Sequence, residues 1–221
     1  MLVATVPLAA QTVSQITLNS GNVIGGSQTL NGLAFNAGAF TATNVVDEQT
    51  GTIGSEVFFQ NYWLGLDGST TGYFVLDLGA ATQIAQLSLF NTHNGPDGDD
   101  RSTATFHVAA ANSVTFVDAL HGFDLVSGTT ILSSSLPLPD NTPLVENIFT
   151  SGNGLNIGGI NYRYIRFTYD SIAGPPGRGP NGGGLHEIRV FTAVPEPSTY
   201  ALIGGVAAGA VVLLRRRSSV A

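Results

Sequence analysis

The chain has 221 residues, a length that suits one all-β domain with tails, or at most two small domains, and that can bury a full core. Charged residues make up only 10%, cysteine and lysine are both absent, and the formal net charge is -7 at pH 7. This balance excludes disulfides, thiol nucleophiles and thiolate metal sites, argues against nucleic acid as a partner, and fits an exported β-protein that meets cations, neutral glycans or basic partners.

The first residues, MLVATVPLAAQ (1 to 11), join a short apolar stretch to a small-residue exit at Ala9-Ala10 and lack a basic n-region. They are expected to be the remnant of a signal peptide, outside the fold. Residues 12 to 193 are expected to form one domain, since no repeat and no linker divides them. Its apolar runs are short, β-branched or aromatic, and bounded by Gly, Asn, Asp or Pro: YFVLDL (Tyr73 to Leu78), IAQLSLF (Ile84 to Phe90), TATFHVA (Thr103 to Ala109), YRYIRFTY (Tyr162 to Tyr169) and LHEIRVF (Leu185 to Phe191). TATFHVA alternates, with Ala104, Phe106 and Val108 on one face and Thr103, Thr105 and His107 on the other. Between the runs lie the turn-rich stretches NTHNGPDGDD, LVSGTTILSSSLPLPDNTP and AGPPGRGPNGGG. No body window of twelve or more residues shows a capped 3.6 period. Short strands without βαβ alternation predict an antiparallel sandwich or barrel.

Catalytic patterns are missing. Histidines 93, 107, 121 and 186 have no metal-ligand or general-base spacing, and no nucleophile elbow, phosphate loop or bracketed carboxylate pair is present, so no enzyme is expected. The acidic loop HNGPDGDDR (His93 to Arg101) lacks the distal glutamate of a calcium loop and reads as a turn. Phe58, Phe59, Tyr62 and Trp63 cluster with Asn61 and Asp67, the mixture of rings and polar groups that a sugar site needs. Phe59, Tyr62 and Trp63 are the ligand candidates from this cluster, with Trp63 alternatively a core residue. Arg178, in the glycine-rich loop, is a further candidate.

The tail, residues 194 to 221, runs VPEPSTYALIGGVAAGAVVLLRRRSSVA. Pro195, Glu196 and Pro197 form an extended turn, because a residue before proline is pushed out of the α region. Tyr200 to Leu214 are fifteen uncharged residues, about 22 Å as a helix at ~1.5 Å per residue and short of the ~30 Å hydrocarbon core. Arg215, Arg216 and Arg217 form a cytoplasmic stop signal.

V-P-E-P-S-T, an apolar run and RRR in this order resemble the PEP-CTERM sorting signal of Gram-negative bacteria. The resemblance implies export, a transient inner-membrane anchor in the form of a C-terminal sorting helix, processing by an exosortase-type membrane protease, and a final place at the cell surface or outside. In the body, NVVDEQTG (Asn44 to Gly51), YWLGLDGSTTGYFVLDLG, DRSTATFHV, YRYIRF and HEIRVF stand in the order of the discoidin, or coagulation-factor C-type, domain of the galactose-binding-like superfamily. That similarity implies an eight-stranded, antiparallel jelly-roll sandwich. It also implies a structural Ca²⁺ joining the loop after the first strand to a glutamate of the last, which carries over to Asp47 and Glu187, with Thr50 and Thr52 as further oxygen donors. Where the family has Asp-Gly, this chain has Asp47-Glu48. The function expected is a non-enzymatic carbohydrate-binding or adhesion module whose partner is an extracellular polysaccharide or cell-surface glycan. A structural exported protein making protein contacts or self-assembling, without a sugar site, is the alternative.

Overall fold

A computed structural model describes residues 12–29, 35, 38–48, 62–92, 101–138, 144–173 and 182–194. The chain divides into two compact units. One comprises residues 1–14 and 193–221; among its described residues, the Val194 amide donates to the Thr12 carbonyl at 2.8 Å. The other, Gln15–Thr192, is the body and holds the fold.

Twelve strands occur among the described residues: β1 (Val13–Gln15), β2 (Val23–Gly26), β3 (Trp63–Leu64), β4 (Gly72–Thr82), β5 (Ile84–Asn91), β6 (Ser102–Ala111), β7 (Val114–Asp118), β8 (Gly122–Leu125), β9 (Thr129–Ser135), β10 (Glu146–Thr150), β11 (Tyr162–Ala173) and β12 (Gly184–Ala193). Seven form one sheet in the order β7-β8-β2-β4-β11-β6-β9. In the other, β12 lies beside β5 and β5 beside β10, while the two-residue β3 also pairs with β12. The chain enters this second sheet past β1, where the Ile16 amide donates to Val190 at 2.8 Å. The pairings of β4, β5 and β6 with their neighbours are antiparallel. The antiparallel sandwich expected of the sequence is therefore the fold. It has more strands than the eight implied, because short edge strands such as β7 and β8 extend the larger sheet. Among the described residues there are also two 3-10 turns, Ser20–Asn22 and Ala42–Val46.

The alternation of β11 shows why the two sheets close on each other. Ile165, Phe167 and Tyr169 recur every second residue and are all fully buried in the core, whereas Arg166 between them reaches Asp124 of β8 at 2.9 Å. Phe167 stacks between Phe74 of β4 and Phe106 of β6, at centroid distances of 5.3 and 5.4 Å. Trp63 meets the edge of Phe74 at 5.1 Å and leans on Tyr169 at 5.6 Å. These aromatic rings, with Leu87, Leu89, Ile188 and Val190 of the opposite sheet, form one continuous core.

One segment read as turn-rich is partly strand. LVSGTTILSSSLPLPDNTP contains β9, whose Ser and Thr residues pair with the polar face of β6 rather than form loops. His107 lies opposite Ser133 and Thr105 opposite Ser135. On its other side β6 bonds β11 through polar side chains, His107 to Asp170 at 2.9 Å and Thr105 to Ser171 at 2.5 Å. Ile131 and Leu132 are consecutive yet both buried, because the register slips between Val108 and Ala109.

Trp63 lies at the centre of the core with 0% exposure. Trp63→Ala is expected to cost about 3–5 kcal/mol, as large aromatic truncations in packed cores do, and Trp63→Phe distinctly less. Chemical denaturation followed by circular dichroism measures this, since Trp63 is the single tryptophan and fluorescence is lost with it. A cost under about 1 kcal/mol would place Trp63 outside the packed core.

Candidate functional site

The 3-10 turn Ala42–Val46 ends at Asp47, and the chain leaves it through Glu48, whose φ is +61°. Asn44 fixes this corner from within, its side-chain amide donating to the carbonyls of Ala39 at 3.0 Å and Tyr62 at 3.1 Å. A left-handed backbone costs a residue with a Cβ about 1–2 kcal/mol and glycine nothing, which explains the Asp-Gly of similar domains. Glu48 is held there by its carboxylate, which accepts from Gln15 and pairs with Arg189 at 3.0 Å. The departure from the family pattern thus lies at a position of real backbone constraint, and it adds a negative charge.

Opposite this corner is Glu187 of β12. The ladder of β12 on β5 pairs Leu185 with Asn91 but Glu187 with Phe90, so one residue is extra between them. That bulge changes the phase of the strand: Leu185, Ile188 and Val190 reach the core, and Glu187 and Arg189 alternate with the last two. Glu187 is nonetheless fully buried, and neither carboxylate oxygen accepts a hydrogen bond of ordinary geometry. Its nearest cation is Arg189, whose Nε stands 3.9 Å away, beyond hydrogen-bond reach. Burial, with Glu48 and Asp47 adding repulsion and Arg189 and the Glu48 backbone amide opposing them, pushes the Glu187 carboxyl up to about 9. Beside it His186 is buried too, stacked on Tyr62 with ring centroids 6.2 Å apart, and burial draws its imidazole down to about 4.

A buried carboxylate with two further carboxylates nearby and one guanidinium at a distance has the donor chemistry of a hard-cation site, and Asp47 and Glu187 fit that group. Among the described residues no three His, Asp or Glu side chains already converge as a metal cluster. Thr50 and Thr52 lie outside the described residues.

Two of the expected ligand residues are buried in the fold. Trp63 is the core ring described above, and Tyr62, 4% exposed, packs against Phe40 and His186. Neither has a face for a sugar, because the chain after residue 61 turns straight into β3 beneath the Asn44 corner. Phe59, Arg178, Pro195, Glu196, Pro197 and Arg215 to Arg217 lie outside the described residues. Arg189, which the sequence reading passed over, was discoverable: it stands two residues after Glu187 and so shares its face of an alternating strand.

Known proteins place both parts of the chain. The model of the PEP-CTERM protein-sorting motif matches residues 193–217. The chain carries a PEP-CTERM sorting signal. The motif indicates an exported, membrane-transiting protein and implies exosortase processing. No helix among the described residues is long and apolar enough to cross a membrane. The family 32 carbohydrate-binding module of C. perfringens NanJ, solved with galactose, is 14% identical over 81% of this chain and 99% of that one, with a TM-score of 0.51. A chain of the complex of reduced XRCC1 with the DNA pol beta catalytic domain is 18% identical over 82% of this chain and 100% of that one, with a TM-score of 0.53. The body shares their sandwich fold. Among curated proteins none matches.

The two buried groups predict how stability varies with pH when metal is chelated. His186 is protonated when unfolded below about 6.5 but resists charge in the fold down to about 4, so stability falls with acid through that window. Glu187 works oppositely: between about 4.5 and about 9 the folded state keeps a proton that the unfolded state releases, so stability falls as pH rises. Above the His186 window only the Glu187 contribution remains. Melting temperature in chelator should drop from about pH 7 to about pH 9, and Glu187→Gln should flatten that slope. A melting temperature that climbs over the same range in the unaltered protein would refute the buried carboxyl.

Proposed function

We propose that this is a non-enzymatic surface or matrix protein of a Gram-negative bacterium, sorted by an exosortase and binding an extracellular polysaccharide or cell-surface glycan through its sandwich domain. The observation that carries the reading is the combination of a sorting motif at residues 193–217 with a body folded like a carbohydrate-binding module. The NanJ module was solved with galactose, and a neutral sugar suits a body in which acidic residues outnumber basic ones. Calcium belongs to the same proposal. Asp47 and Glu187, with Thr50 and Thr52, would hold it, and it would add positive charge beside a buried carboxyl that Arg189 reaches only at 3.9 Å.

A glycan array probed with the full chain, with calcium and with chelator, tests this. Saturable binding to one glycan class, weakened about tenfold or more by Phe59→Ala or Arg178→Ala, is expected. Calcium should raise the melting temperature of the unaltered protein and leave Glu187→Gln unmoved. Silence on every glycan together with self-association would favour the structural, self-assembling alternative.

The tail makes its own prediction. Pro195-Glu196-Pro197 presents an extended recognition site just outside the inner membrane, Tyr200 to Leu214 hold it there, and Arg215 to Arg217 stay in the cytoplasm. Replacing both prolines with alanine should leave the protein anchored and uncut, and neutralising the three arginines should mislocalise the precursor. Mass spectrometry of the protein found outside the cell decides it: a species that still carries Arg215 to Ala221 means a plain tail anchor.

A further inference from the structure

Strands β7 and β8 form a hairpin at one edge of the seven-stranded sheet. Among the described residues it carries the exposed aromatic rings, Phe116 at 59% and Phe123 at 39% exposure. The two sit opposite each other on the ladder, edge to face, with centroids 5.5 Å apart. At the next rung the hairpin turns through Asp118, whose carboxylate accepts from the amides of Leu120 and His121 at 2.8 Å and from His121 Nδ1 at 2.9 Å. These contacts set the imidazole and leave its Nε2 for a further hydrogen bond. The hairpin is also seated firmly. Asp124 of β8 bonds Arg166 of β11 at 2.9 Å, and Gly25 of β2 lies so close that a Cβ there would come within 1.8 Å of the Phe123 carbonyl.

Three kinds of occupant would cover such rings: a strand of a second copy, a lipid surface, or a sugar. Strand addition needs a straight edge, and β7 is bulged at Val117, between the Phe116 and Asp118 pairings. Anionic headgroups and polyanions need cations, and residues 114 to 126 contain Asp118 and Asp124 with no Lys or Arg. Pre-set rings beside fixed hydrogen-bonding groups and without positive charge match an uncharged sugar, whose apolar ring face stacks while its hydroxyls bond the rim. We propose that Phe116 and Phe123 are a stacking platform for the rings of a neutral polysaccharide, with Asp118 and His121 bonding its hydroxyls. The inference rests on the carbohydrate-binding reading and names a site for it.

Affinity electrophoresis of the full chain through gels containing a soluble neutral glucan or galactan, with Phe116→Ala, Phe123→Ala and His121→Ala alongside, tests it. Because Phe116 is mostly exposed, its variant should melt with the parent protein. The expected result is retardation of the parent, weakened about tenfold or more by either phenylalanine change and less by His121→Ala. Retardation that survives both phenylalanine changes overturns this site and leaves the glycan reading standing elsewhere on the domain. No retardation in either gel overturns the platform. A dimer on sedimentation that Phe116→Ala dissolves, or flotation with phosphatidylcholine vesicles that it abolishes, overturns the platform too, and names a second copy or a lipid surface as the occupant.

Discussion

The single extra residue in β12, between Leu185 and Glu187, shapes more of this protein than any other local feature. A regular strand alternates with period two, so without the bulge Leu185 and Glu187 would point the same way. Leu185 belongs to the core, and an acid beside it would have to be buried among Leu89, Ile188 and the aromatic rings. The bulge sends Glu187 to the other side, where the Asp47-Glu48 corner covers it. The core keeps an unbroken apolar lining, and the carboxylate becomes a buried group that faces its own kind.

That arrangement sets the electrostatics of the corner. Among the described residues, Asp47 and Glu48 both repel a charge on Glu187 and Arg189 opposes them, with burial the largest cause. The fold responds by letting Glu187 keep its proton, pushed up to about 9. Arg189 does not close the gap, because it is drawn toward Glu48 and rests over the Phe90 ring, with its guanidinium carbon 5.0 Å from the centroid. An ammonium or guanidinium in better geometry would make a metal redundant. The strain accepted at Glu48, in a conformation that suits glycine, keeps Arg189 on the rim.

Much of the fold was legible because its strands follow the rule that sequence shows best. TATFHVA alternates, and Phe106 and Val108, placed on the apolar face by that pattern, are buried, while YFVLDL and YRYIRFTY are strands as their apolar and aromatic runs imply. What stayed hidden depends on register. Residues of β9 look like loop because serine and threonine pair across strands as readily as they make turns, and only the partner strand tells which. The bulges that bury Ile131 beside Leu132 and turn Glu187 from the core leave no mark in a one-dimensional pattern. The same holds for the site. Asp47 and Glu187 were named by resemblance to similar domains, and the fold brings them close enough to repel each other. The core place of Trp63 was one of its two readings, whereas the burial of Tyr62 was not foreseen, since a ring beside Asn and Asp reads equally well as a sugar platform or as the floor of a loop.

Charge is distributed by the same economy. The body has few basic residues, all arginine, and three of them are committed: Arg163 to Asp77 at 2.8 Å, Arg166 to Asp124 at 2.9 Å and Arg189 to Glu48 at 3.0 Å. Each brings together chain segments that are distant in sequence, and Arg163 does so with two nitrogens on the two Asp77 oxygens. Cohesion elsewhere rests on neutral bonds such as Thr103 to the Gly184 carbonyl and Asn91 to the carbonyls of Thr103 and Pro137. Neutral bonds are not screened by salt, whereas surface ion pairs weaken in it. For a protein carried out of the cell, where ionic conditions are not its own to set, a fold held mainly by aromatic packing and neutral ladders keeps its shape. Among the described residues, Glu187 is the carboxyl whose burial is least offset by partners, and burial pushes it up to about 9.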